Sequence, residues 1–126
     1  MSWTIELIRI LFVVLGVLEA IPNFIYLLRK DGVELARKQH GELPKDTTRK
    51  QIRIKTVCMF LFGVSFLGTV LFSYATSTYH VLSFAIVMGA FSTYLAIEAT
   101  YYKYWRIFVP FIISVILFFV ILFVTH

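Results

Sequence analysis

Glu19 is the residue whose setting most demands a chemical explanation. It stands inside a long apolar stretch, ten residues from both Arg9 and Arg29. On a straight helix that is about 15 Å from either charge, near the middle of a bilayer. An ionisable group at that depth costs roughly 2.5–3.5 kcal/mol on insertion scales, so it is expected to face other helices or water. Asn23 follows four residues later, on the same helical face. Pro22 has no N–H to give the Leu18 carbonyl, which predicts a kink and a freed acceptor beside Glu19. Glu19 with Asn23 is thus a candidate proton or cation site. The structural alternative is an interhelical hydrogen-bond cluster.

Glu98 is the second acid in an apolar setting, with Tyr94 and Tyr102 one turn to either side. It is expected to pair with a base, either Arg106 or a residue of the basic segment 29–55. If Glu19 and Glu98 face one cavity, they form two rungs of a single pathway. Arg49, Lys50, Arg53 and Lys55 form a basic cluster expected at the membrane surface, against anionic headgroups or a partner. Glu6 and Arg9 are one turn apart and read as a local pair. His40, His80 and His126 lack metal-ligand spacing, and Cys58 stands alone. No phosphate loop, GxSxG or HExxH occurs. An enzyme is therefore not expected, nor a cofactor or metal.

The elements that must position these residues follow from composition. The chain has 126 residues, 60% of them hydrophobic, more than a soluble domain of that size can bury. Four apolar stretches, at about 10–28, 56–74, 81–99 and 107–124, each match the thickness of a bilayer core. Runs of that length satisfy their backbone in lipid only as helices. The expected fold is an all-α membrane protein, one integral domain built as a four-transmembrane-helix bundle. Arg49 to Lys55 lead into the second span, with Gln51 to Lys55 extending its helix beyond the bilayer. Asp31 to Glu42 reads as a short helix capped by Asp31, with Val33, Leu35 and Ala36 resting on the membrane.

Nine of the twelve Lys and Arg lie in 29–55, and two more, Lys103 and Arg106, in a short break. The positive-inside rule then puts 29–55 in the cytoplasm as a long basic loop, with both termini outside. Trp3, Tyr74 and Tyr79 would mark the outer interface, and Tyr26, Tyr101, Tyr102, Tyr104 and Trp105 the inner one. No Lys or Arg precedes the first apolar stretch, so a cleavable signal peptide is not expected. Small residues at four-residue spacing (Ala85, Gly89, Thr93; Ser92, Ala96, Thr100; Ser65, Thr69 with Gly68) predict close helix packing. The fourth span is bulky and expected to face lipid or a partner.

In length, helix count and one embedded acid in the first helix (Glu19, in GVLEAIPN), the chain resembles the small multidrug resistance transporters. That resemblance implies proton-coupled export through Glu19. The basic loop and one-sided charge bias depart from that family's build. On these grounds the leading expectation is a non-enzymatic accessory, interaction or immunity-type subunit of a bacterial plasma membrane. Its partners would be anionic lipid and either another membrane protein or further copies of itself, with no nucleic acid. The second reading is a small oligomeric transporter or channel using Glu19 and Asn23.

Overall fold

A computed structural model describes residues 2–41, 43, 44 and 46–124. The expected helix end at Glu42 and the tail at Thr125 and His126 lie outside the described residues. These residues form α1 (Ser2–Leu28), α2 (Gly32–Gln39), α3 (Arg49–Ala75), α4 (Val81–Tyr102) and α5 (Trp105–Val124), and among them there is no strand. Four helices are long and apolar enough to cross a membrane: Trp3–Leu28, Arg49–Ala75, Val81–Tyr102 and Trp105–Phe123. The chain is thus built as a multi-pass helical membrane protein.

Two spans begin earlier than their apolar runs. α1 starts at Ser2, and the charged side chains of its first turns, Glu6 and Arg9, are paired without ending the helix. Arg9 pairs with Glu6 and donates through Nε to Ser73 Oγ at 3.0 Å. α3 starts at Arg49 because Thr48 and Gln51 form a reciprocal capping box. Gln51 N–H donates to Thr48 Oγ1 at 3.2 Å, and Thr48 N–H to Gln51 Oε1 at 2.9 Å. α4 ends where Lys103 turns into the left-handed region (φ 53°) and its N–H closes onto the Ala99 carbonyl.

The long helices pack in a ring: α1 on α3, α3 on α4, α4 on α5, and α5 back on α1. α1 and α3 approach each other closely at two glycines. A Cβ on Gly63 would stand 2.4 Å from the Ala20 nitrogen, and one on Gly16 2.5 Å from Leu67 Cγ. The close-packing row on α3 is therefore not Ser65, Gly68 and Thr69. Gly68 has nothing within 4 Å. The Ser65 and Thr69 hydroxyls donate back to their own helix, at Leu61 O and Ser65 O. On α4, Ala85 is buried and Gly89 lies against Phe118 of α5. Ser92 donates across to Ser114 at 2.9 Å.

The core has two parts. Phe12, Phe66, Phe84, Met88 and Ile121 fill one half of the bundle. Val33, Ala36, Leu43, Ile52, Ala99 and Ile107 close the other. The second part corrects the expectation that α2 rests on the membrane. Val33 and Ala36 are buried inside the bundle's mouth instead, with Ala36 fully enclosed. Gly32 makes this possible, since a Cβ there would stand 1.7 Å from the Tyr26 carbonyl oxygen. The chain reverses tightly at that contact, and α2 runs back along α1. Asp31 precedes α2 but makes no side-chain cap; Arg29 holds it instead at 2.8 Å.

Candidate functional site

The return of α2 carries its last side chains deep into the bundle. Pro22 leaves the Leu18 carbonyl without its usual helical donor. Gln39 Nε2 donates to that carbonyl at 3.4 Å and to Glu19 Oε1 at 3.4 Å. Asn23, fully buried, donates through Nδ2 to Glu19 Oε1 at 3.2 Å and to the Glu19 carbonyl. Its amide oxygen can only accept, so His40 Nε2 carries the proton in their 2.9 Å contact. Glu19, Asn23, Gln39 and His40 therefore form one network joining α1 to the end of α2.

This network borders a cavity of about 410 Å³. Its polar lining is Glu19, Gln39, His40 and Lys55, and its apolar walls include Met59, Phe91 and Leu95. Glu19 lies about 14 Å along α1 from Leu28, and Lys55 about 9 Å into α3 from Arg49. One acceptor here is orphaned. Leu18 O and Glu19 Oε1 both accept, so the Gln39 amide must turn its nitrogen toward them. Gln39 Oε1 is left buried with no hydrogen-bond partner among the described residues. An unsatisfied buried carbonyl is rare and costly.

Lys55 and Glu98 are brought together across α3 and α4. Their side chains are 2% and 7% exposed, and Nζ lies 2.7 Å from Oε1. The Tyr94 hydroxyl donates to the other carboxylate oxygen at 2.8 Å, and Lys55 Nζ sits 5.3 Å from the Tyr94 ring centre. Lys55 thus points into the bundle, away from the surface position expected for it, and its partner answers the question of which base Glu98 takes. A second cavity of about 200 Å³ is lined by Glu98, Tyr94, Tyr102 and again Lys55. Glu19 and Glu98 do not line the same cavity; Lys55 lines both.

Arg49, Lys50 and Arg53 remain exposed at the start of α3. Arg49 reaches Glu34 of α2 at 2.6 Å. A backbone hydrogen bond and the Arg49 guanidinium hold the Glu34 carboxyl below its usual range. The hydrogen bond from Arg29 does the same for Asp31. At the opposite end, Tyr74 donates to Glu6 at 2.9 Å, and Ser73 donates to the Thr78 carbonyl at 2.8 Å. Burial pushes the Tyr79 phenol there up to about 12.

Gln39 was not singled out in the sequence, and His40 was weighed only as a metal ligand. Both lie in a polar segment where polar residues need no special reason, and the reversal at Gly32 brings them to Glu19. Compared with known proteins, the chain matches no family model, no curated protein and no solved structure. The site's own geometry therefore carries the functional argument. A carboxyl side chain lining one cavity beside Gln39, His40 and Lys55 suits a proton or a small cation.

Proposed function

We propose that the chain is a small multi-pass transporter or channel, non-enzymatic, with Glu19 as its proton or cation site. Asn23 holds the carboxylate in place. The observation that supports this is the bundle cavity that Glu19 lines together with Gln39, His40 and Lys55. Such a cavity could take a proton, a water chain or a small protonated amine. On sequence alone the interaction-subunit reading leads; four polar side chains around one cavity reverse the order. Intramembrane ionisable residues facing a cavity commonly mark ion or proton pathways.

The same proposal includes orientation. The basic segment 29–55, Lys103 and Arg106 lie at the α2 end, so that end faces the cytoplasm and both termini face out. The cavity would then open from the cytoplasmic half of a plasma membrane, in keeping with a bacterial inner membrane.

The test is flux in proteoliposomes with an internal pH dye, under an imposed potential, with protons and with methylammonium as probes. Glu19→Gln is expected to abolish flux while leaving a monodisperse, folded protein. Wild-type flux no greater than that of empty liposomes, or unchanged flux in Glu19→Gln, would overturn the reading. The interaction-subunit reading rests on a different observation, the exposed Arg49, Lys50 and Arg53. It requires a membrane protein that co-purifies under gentle extraction and is released by charge reversal at those three positions.

A further inference from the structure

A groove of about 470 Å³ lies where α2 meets the first turns of α3. Its rim is cationic, formed by Arg49, Lys50 and Arg53, and its floor is apolar, formed by Ile54 and Val57 with Cys58 beside them. Positions 50, 53, 54, 57 and 58 share one helical stripe, at i, i+3, i+4, i+7 and i+8. The stripe is about 12 Å long, charged at its start and apolar beyond. Val33 of α2 closes one side. Glu34 engages Arg49, but no carboxylate among the described residues lies in salt-bridge range of Lys50 or Arg53. The rim therefore keeps a net charge of two positive side chains.

We propose that this groove binds one anionic phospholipid, with its phosphate at Lys50 and Arg53 and the start of an acyl chain along Ile54 and Val57. The charge change along the stripe is what a lipid presents at the headgroup boundary. A soluble phosphate would have no use for the apolar floor. A zwitterionic lipid would bring its own cation against the rim. The floor also continues directly into the membrane-spanning part of α3, so an acyl chain entering it stays within the bilayer. This site involves no residue of the Glu19 cavity and stands apart from the proposed transport function.

The test uses the full chain in mixed micelles carrying equimolar phosphatidylglycerol and phosphatidylcholine, read by native mass spectrometry. One phosphatidylglycerol per chain is expected to survive in preference to phosphatidylcholine. Each basic side chain near an anionic headgroup contributes about fivefold, so Lys50→Gln/Arg53→Gln should lower retention roughly 25-fold. Both residues are exposed, so folding should be unaffected. Val57→Trp should also lower retention with the cations intact, because it fills the floor. Lys103→Gln/Arg106→Gln should leave it unchanged. Equal retention of the two lipids, an equal loss in the Lys103/Arg106 pair, or full retention in Val57→Trp would each overturn the proposal. So would displacement by millimolar inorganic phosphate, which would mark a site for soluble anions.

Discussion

Lys55 carries its charge where only 2% of its side chain is exposed, and it can do so because Glu98 approaches to 2.7 Å. Breaking such a pair from one side leaves an uncompensated charge in a medium of low dielectric constant, at a cost of about 3–5 kcal/mol. Lys55→Met alone is therefore expected to lose that much stability in SDS titration of the folded protein in mixed micelles. Lys55→Met/Glu98→Gln should recover most of it, since the substituted side chain keeps an amide oxygen that can accept from the Tyr94 hydroxyl. Losses that simply add in the double variant would show that the pair is not coupled. At this scale the sequence was partly legible. Glu19, Asn23 and Glu98 stand out because polar groups in an apolar run need a reason. Lys55 sits at the boundary of its run, where snorkelling to the surface is the ordinary outcome. Its burial depends on α4, which local sequence does not reveal.

The helices themselves were more legible than the faces they use. The long apolar runs announced four spans, and Thr48 with Gln51 was a readable signal for the early start of α3. Small-residue spacing proved ambiguous. Spacing says that one face of a helix is smooth but not which neighbour meets it. Gly16 and Ala20 on α1 have the same four-residue spacing as Ser65 and Thr69, and they form the actual contact with α3 around Gly63. Gly63→Ala places a methyl against the Ala20 backbone and should cost about 1–3 kcal/mol by overpacking. Gly68→Ala meets open space, so it should be neutral or slightly stabilising through helix propensity. The same SDS titration checks both, and equal effects would contradict the close α1–α3 contact at Gly63.

Among the described residues, Lys and Arg gather at one end while the opposite end keeps Arg9 alone of them, held by Glu6 and Ser73. Orientation can be measured directly. In a Cys58→Ser background, a cysteine at Thr78 should react with an impermeant maleimide in intact cells, and one at Lys103 should react only after lysis. The reverse pattern would invert the proposed topology. Within 29–55, structure departs from expectation in the packing of α2, whose Val33 and Ala36 are buried in the bundle. Hydropathy separates lipid from water but has no term for a polar segment that folds back into a bundle.

That returning segment has a consequence for how the protein comes into being. α2 has eight residues and includes Glu34, Arg37, Lys38 and Gln39, so it is too short and too polar to enter a bilayer unaided. A nascent chain can insert its spans one by one, yet the cavity beside Glu19 lacks its Gln39 and His40 wall until they have assembled and α2 has docked among them. Glu19 and Asn23 thus gain Gln39 and His40 as neighbours only once the segment that follows α1 has packed back against it. A chain halted before that packing would be threaded through its membrane and still lack part of the wall around Glu19.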